Sequence, residues 1–238
     1  MSCSFFPPDC KNRKADIIFL MDGSESISPK DFEKMKEFLK RMVKQSNIGA
    51  NEIQIGLLQF SSDPQEEFRL NRYTSNVDVH RAISDVMQIN SGTYPGKALN
   101  FTLTFFGSSR GGRPSVHRYL IVVTDGVSRD NIAIPAKALR DRSIIIFAIG
   151  VGKVEFSQLL ELTSNQSKVY YEEKFESVQN LEKEILYQVC IPQGDRQRDC
   201  YLIHKPIVGI RDLVGSLNKT NTFSHSDGWE SFFLNLFY

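Results

Sequence analysis

The stretch of sequence that decides the fold is Ile17-Ile-Phe-Leu-Met-Asp-Gly-Ser-Glu-Ser26. Its first five residues are all apolar, which is typical of a short strand buried on both faces. An Asp-Gly turn follows, and a carboxylate and two hydroxyls stand at alternate positions, Asp22, Ser24 and Ser26. Hard cations such as Mg²⁺, Mn²⁺ and Ca²⁺ prefer oxygen donors of this kind. The stretch therefore predicts a buried strand that ends in an oxygen-lined turn.

Outward from this strand, apolar runs alternate with stretches of helical periodicity. Strands separated by helix-sized intervals form βαβ units, so we predict a doubly wound α/β fold with a mostly parallel central sheet and helices on both faces. The predicted strands are residues 17–21, 53–60, 66–70, 119–123, 144–149 and 169–171. The predicted helices are residues 29–45, a helix capped by Asn76, a helix opening at Pro95, and residues 132–140, 155–162 and 177–190.

These elements divide the chain into three parts. Residues 1–12 are predicted to be an N-terminal extension, and residues 13–190 to be the α/β domain. Residues 191–238 carry no sustained strand or helix period and end in an apolar cluster. A segment of this length is too short to bury a core of its own without disulfides or metals, so we expect an irregular or disordered C-terminal tail that forms no recognised domain.

Composition excludes several classes of partner. The 238 residues include 29 basic and 28 acidic side chains, a formal net charge of +1, so no bulk field points to nucleic acid or to a membrane surface. No apolar run approaches the ~20 residues of a membrane-spanning helix. The first residues, Met-Ser-Cys-Ser-Phe-Phe-Pro-Pro, lack the features of a secretory signal, so nothing visible in the sequence exports the chain.

A second predicted strand is followed, like the first, by an Asp-Gly turn. Residues 119–123 run into Thr124-Asp125-Gly126. Ligands of open α/β sheets bind beyond the carboxyl ends of the strands, where the strand order reverses. If the two strands are neighbours there, Asp22 and Asp125 approach each other and require a cation between them. The loop that carries Thr93 enters a helix at the same edge and could add a hydroxyl.

Three motifs in this order carry a resemblance to a known family. D-x-S-x-S at Asp22, T-x-x-G-x-A-L at Thr93 and T-D-G-x-S at Thr124 resemble the metal-ion-dependent adhesion site of von Willebrand factor A domains. The resemblance implies that Mg²⁺ or Mn²⁺ is held directly or through waters, with one coordination position left for a carboxylate of a partner protein. The implied metal-site residues are Asp22, Ser24, Ser26, Thr93 and Asp125.

Within that family, the sequence looks most like the globular A-type domains of type VI collagen chains, particularly the alpha-3-like group. The resemblance lies in the flanking cysteines and in the run Ala15-Asp-Ile-Ile-Phe-Leu-Met-Asp-Gly-Ser-Glu-Ser-Ile-Ser28. The resemblance implies an extracellular, non-enzymatic module for matrix assembly or cell adhesion. Its expected partners are proteins, such as collagen, other matrix proteins or further A domains.

Cysteines and glycosylation sequons bear on the compartment. Cys10 stands just before the first strand and Cys190 closes the last helix, so a disulfide between them could close the domain. Such a bridge would close a loop of about 180 residues and contribute up to ~5 kcal/mol. In a cytoplasmic protein both would remain free thiols. Acceptor triplets for N-glycosylation begin at Asn100, Asn165 and Asn218.

Other functions remain open at this point. The sequence has no GxGxxG after the first strand, no GxxxxGK[ST] and no GxSxG, so an enzyme of those classes is not expected. An intracellular interaction scaffold, or a truncated product of a type VI collagen-like gene with the metal site unused, would have the same fold. The basic loop from Arg110 to Arg113, with His117 and Arg118, is a candidate for binding an acidic glycosaminoglycan or a collagen-borne carboxylate, or is simply a solvated loop.

Overall fold

The structure, a computed structural model, describes residues 13–190. A six-stranded sheet in the order β3-β2-β1-β4-β5-β6 forms its centre. All neighbouring strands are parallel except β3, which runs antiparallel to β2 at the edge. The strands are β1 (Ala15–Asp22), β2 (Ile53–Phe60), β3 (Pro64–Phe68), β4 (His117–Thr124), β5 (Ile144–Val151) and β6 (Val169–Glu172).

Helices cover both faces of this sheet. Alternate residues of β1 face opposite sides, as the two-residue period of a strand requires. Ile17, Phe19 and Met21 join one apolar core with α1, α2, α6 and α7, whereas Ile18 and Leu20 join a second core with α3, α4 and α5. The helices are α1 (Pro29–Lys44), α2 (Asn76–Asp85), α3 (Pro95–Phe105), α4 (Ala133–Asp141), α5 (Phe156–Thr163), α6 (Phe175–Val178) and α7 (Glu182–Cys190). The predicted doubly wound α/β fold is confirmed.

Some element ends differ from the sequence prediction. The cap of α2 is Ser75, whose hydroxyl accepts a hydrogen bond from the Asp78 amide at 3.2 Å, so the assignment of Asn76 as the cap was wrong. The Asn76 side chain instead donates to the carbonyl of Val43 in the last turn of α1 at 2.7 Å and to that of Ser46 just after it at 2.9 Å. β3 begins at Pro64, where the missing amide hydrogen is tolerated because the strand lies at the sheet edge.

The predicted helix over residues 177–190 is two helices. α6 ends at Val178, a 3₁₀ turn covers Gln179–Leu181, and α7 follows. No helix within residues 13–190 has the length and apolar character needed to span a membrane. The predicted extension 1–12 and tail 191–238 lie outside the described residues, so the proposed division of the chain remains a prediction.

Candidate metal centre

The two Asp-Gly turns leave adjacent strands. β1 lies between β2 and β4, with Met21 in register with Val123. The chain winds from β1 to β2 and β3 on one side and from β4 to β5 and β6 on the other, so the order reverses between β1 and β4. Asp22 ends β1, and Asp125 follows the last residue of β4. The predicted meeting of these two turns at the switch point is therefore observed.

Asp22 is a buried carboxylate held on both oxygens. Its Oδ1 accepts from the Ser24 amide at 2.9 Å, and its Oδ2 accepts from the Thr124 hydroxyl at 2.6 Å. Burial raises the pKa of Asp22 to about 6, against the lowering effect of these hydrogen bonds, and the charge of Asp125 raises it further. Burial likewise raises the pKa of Asp125. Both shifts arise mainly from burial, which disfavours the charged form of a carboxylate.

Serine hydroxyls connect the two aspartates. The Ser24 and Ser26 Oγ atoms lie 3.0 Å apart, and Ser26 Oγ donates to Asp125 Oδ1 at 2.6 Å. Adjacent oxygens of an octahedral site with metal–oxygen distances of ~2.1 Å are separated by about 3.0 Å. The spacing of the two serine hydroxyls therefore fits a small divalent cation of the Mg²⁺ or Mn²⁺ type.

Thr93 reaches the same place from the loop before α3. A Cβ added to Gly126 would lie 3.7 Å from Thr93 Oγ1 and 3.8 Å from Ser26 Oγ, so both hydroxyls border one point beside that glycine. The Thr93 carbonyl accepts a hydrogen bond from the Arg129 amide at 3.1 Å, which ties its loop to the one that follows β4. The structure thus brings together all five residues selected from the sequence.

Gln59 supports this arrangement and was missed by the sequence analysis. Its Oε1 would lie 1.9 Å from a Cβ on Gly23, so a side chain at that position would clash with it. The buried amide group accepts from the Ile89 amide at 2.8 Å and donates to the Met87 carbonyl at 2.9 Å. Gln59 therefore holds the loop after α2 against the turn that carries Ser24. A glutamine inside a strand carries no sequence signal for such a role.

Asp130 is a second missed supporting residue. Its two carboxylate oxygens each accept a hydrogen bond at 2.8 Å, from the amides of Gly96 and Lys97 in the first turn of α3. The preceding residue Tyr94 provides no side-chain cap, so Asp130 performs that function from another loop. Ser128, the last residue of the third motif, donates to Asp130 rather than to the serine hydroxyls. Asp130 thus fixes the helix that follows Thr93.

The donor atoms at this site are oxygens, which hard cations prefer. Residues 13–190 contain no group of three or more histidine, cysteine, aspartate or glutamate side chains that could hold a metal ion. A cation at this point would therefore depend on serine and threonine hydroxyls in addition to the two carboxylates. Oxygen donors alone suit Mg²⁺ or Mn²⁺, whereas thiolate and imidazole ligands would favour zinc or copper.

Comparison with known proteins places this geometry in a family. Residues 16–184 match the sequence model of the von Willebrand factor type A domain. The chain belongs to the von Willebrand factor type A domain family. Solved relatives share the fold: proximal thread matrix protein 1 from the mussel byssus, described with a zinc-occupied MIDAS motif, is 29% identical with a TM-score of 0.70, over 76% of this chain and 47% of that one.

Type VI collagen chains are similar in sequence. The chain is 74% identical to the collagen alpha-4(VI) chain of Mus musculus over 186 residues, which cover 78% of this chain and 8% of that collagen. It is 40% identical to the collagen alpha-6(VI) chain of Homo sapiens over 209 residues, which cover 88% of this chain and 9% of that collagen. This von Willebrand A chain thus spans less than a tenth of the length of these extracellular matrix relatives, and the resemblance to type VI collagen is confirmed.

Some of the predicted disulfide and glycosylation residues lie within the described part of the chain and others do not. Cys190 is disulfide-bonded, and its carbonyl accepts from Arg13 Nε at 2.5 Å, so the two ends of the described domain meet. Cys10 lies outside the described residues, and its pairing with Cys190 remains a prediction. Asn100 on α3 and Asn165 before β6 are exposed, as glycosylation would require, whereas Asn218 lies outside the described residues.

The basic loop is largely engaged within the domain. Arg113 forms an ion pair with the buried Asp16 at 2.7 Å. Arg110 pairs with Glu66 at 3.1 Å, and Arg118 donates to the Arg142 carbonyl. These contacts favour a structural role for the loop over glycosaminoglycan or carboxylate binding.

Proposed function

We propose that this von Willebrand A domain is a non-enzymatic protein-binding module of the extracellular matrix. It holds one Mg²⁺ or Mn²⁺ ion at the edge of the sheet and offers that ion to a carboxylate of a partner protein. The partner is a collagen, another matrix protein or a further A domain. The side chains that would hold the cation are Asp22, Ser24, Ser26, Thr93 and Asp125.

The observation that carries the proposal is the convergence of oxygen atoms from three separate loops. Ser24, Ser26 and Asp125 form a continuous series of contacts at 3.0 and 2.6 Å, and the Thr93 hydroxyl borders the same point. A small divalent cation takes about six oxygen ligands. Two carboxylates and three hydroxyls leave room for one more donor, which suits a carboxylate from outside the chain.

A binding role is favoured over catalysis. A hydrolase would need a general base beside the cation, and Glu25 lies between the two serines of the first motif, but its side chain is 65% exposed and lies 3.8 Å from the Arg129 guanidinium. The similar proteins are matrix collagens.

An extracellular location is likewise favoured over an intracellular scaffold. The disulfide at Cys190 suits an oxidising compartment, whereas a cytoplasmic scaffold would keep the thiol free. The exposed sequon at Asn100 agrees with this assignment.

Metal binding should stabilise the folded domain. At a Mg²⁺ concentration of 100 times Kd, the free energy of unfolding should rise by about 2.7 kcal/mol. For a domain of this size, that gain raises Tm by about 5–10 °C relative to EDTA. Scanning calorimetry of the wild type and the Ser26→Ala variant in MgCl₂, MnCl₂ and EDTA measures the effect.

Ser115→Ala is the matched control, because Ser115 is an exposed serine in the loop before β4, at the opposite end of that strand from Asp125. The wild type and this control should respond equally to Mg²⁺, and Ser26→Ala should respond much less. An unchanged wild-type transition, or an equal shift in Ser26→Ala, would contradict the proposal.

A further inference from the structure

We propose that the cleft beside the candidate metal centre binds a second acidic group of the same partner. The recognised segment would then be an acidic peptide with two carboxylates, one at the cation and one among the lysines Lys30, Lys153 and Lys174. This inference rests on the proposed function, because the cation provides the first of the two anchors.

The cleft is continuous with the metal centre. Its volume is about 690 Å³, and Ser26 and Asp125 form part of its wall. Clefts of ~300–1,000 Å³ are the size that holds small ligands or a few residues of a peptide. Val151 and Phe175, both nearly fully buried, contribute apolar surface to the lining. A peptide whose carboxylate reaches the cation would therefore place its neighbouring residues in this cleft.

The charges of the lining are unevenly paired. Lys34 pairs with both Asp31 and Glu176, so these three side chains together carry one surplus negative charge. Within residues 13–190, no hydrogen bond or ion pair engages the side-chain amino group of Lys30, Lys153 or Lys174, and all three residues are exposed. Asp125 belongs to the metal centre, so the rest of the lining has four lysines against three carboxylates, those of Asp31, Glu173 and Glu176. With a divalent cation balancing Asp22 and Asp125, the lining keeps one excess positive charge, and three of its lysines have no ion-pair partner among residues 13–190, which favours an acidic ligand.

Lys30 stands where the fold alone would not select a lysine. It is the second residue of α1, and the N-terminal end of a helix carries partial positive charge that disfavours a cation by ~0.3–1 kcal/mol. Asp31 beside it is the residue type that this position prefers. The charge of Lys30 attracts the neighbouring Asp31 carboxylate, but its amino group forms no ion pair among residues 13–190, so it is available to an acidic ligand.

The loops that carry the other two lysines are linked to each other. The Gly152 amide donates to the Glu172 carbonyl at 2.9 Å, and the Tyr171 hydroxyl donates to the Gly152 carbonyl at 2.9 Å. Gly152 has a φ of +69°, a backbone conformation that favours glycine and turns the chain directly before Lys153. Because these contacts fix the loop backbone, the conformational entropy lost when an acidic group binds would come mainly from the lysine side chains.

The test compares labelled, end-blocked glycine peptides by fluorescence polarisation with the full chain. One peptide carries a single glutamate, a second series carries another glutamate two to five residues away, and a matched series has glutamine there. In Mg²⁺, the second glutamate should tighten binding by about fivefold over glutamine at the best spacing. The Lys153→Ala/Lys174→Ala variant should lose this gain and still bind the single-glutamate peptide in a Mg²⁺-dependent manner.

The control variant, Lys137→Ala/Lys183→Ala, removes two exposed lysines outside the cleft and should keep the gain. No preference for the second glutamate at any spacing, or an equal preference in the Lys153→Ala/Lys174→Ala variant, would overturn the inference and leave the proposed function standing. Failure of the single-glutamate peptide to depend on Mg²⁺ would instead contradict the proposed function, and with it the two-anchor inference.

Discussion

Replacing Arg113 with alanine is expected to lower the free energy of unfolding by about 3–5 kcal/mol, because it leaves a buried charge without its partner. Asp16 is fully buried on β1. The Arg113 guanidinium donates to Asp16 Oδ1 at 2.8 Å and to the carbonyls of Ala15 and Glu52, each at 2.8 Å. One side chain thus joins the loop before β4 to β1 and to the start of β2.

Urea or guanidinium denaturation of the Arg113→Ala variant, with metal excluded by EDTA, measures this effect. Arg81→Ala is the matched control, since Arg81 is exposed on α2. Substitutions at such exposed positions change the free energy of unfolding by less than about 0.5 kcal/mol. The double variant Asp16→Ala/Arg113→Ala should lose less unfolding free energy than the sum of the losses in the two single variants, because it leaves no unpaired charge. A loss below about 1 kcal/mol in Arg113→Ala would refute the structural role of this pair.

Replacing Asp125 with alanine should weaken Mg²⁺ affinity by more than about 100-fold. Mutation of groups that only orient metal ligands already lowers metal affinity by about 10–100-fold. Its effect on folding should be small. The carboxylate accepts one hydrogen bond from Ser26, whereas its burial and its charge near Asp22 are unfavourable. In EDTA the free energy of unfolding should therefore change by less than about 1 kcal/mol.

Isothermal titration calorimetry with Mg²⁺ and Mn²⁺, together with thermal unfolding in EDTA, separates these two expectations. Asp141→Ala is the control, because Asp141 is exposed on α4 and pairs only with the neighbouring Lys137 among the described residues. It should bind Mg²⁺ as the wild type does. Wild-type affinity in Asp125→Ala would remove Asp125 from the proposed ligand set.

The sequence predicted those features that depend on periodicity and on strand ends. Asp22 and Asp125 could be placed together because parallel strands deliver their carboxyl ends to one edge, and the order β2-β1-β4 makes the two strands adjacent. The first helix was equally predictable, since Ser28 and Pro29 are strong start signals and both have that role in α1.

Features that depend on contacts between distant segments were not predictable in this way. Gln59 and Asp130 support the site through hydrogen bonds to loops about 30 residues away in sequence, and no local pattern marks them. Asn76 was assigned as a cap because asparagine favours that position, but the neighbouring Ser75 takes it and frees Asn76 to bind the end of α1. Contacts between distant segments decided the first two cases, and a choice between two neighbouring cap residues decided the third.

The central claim is that oxygen atoms of three loops surround one divalent cation. Anomalous diffraction from crystals grown with MnCl₂ tests it most directly, because manganese can be located without reference to the proposed ligands. We predict one strong peak within about 2.5 Å of the hydroxyl oxygens of Ser24, Ser26 and Thr93, with Asp22 and Asp125 bound directly or through waters. A domain that shows no manganese at this point, or manganese bound elsewhere, would contradict the account.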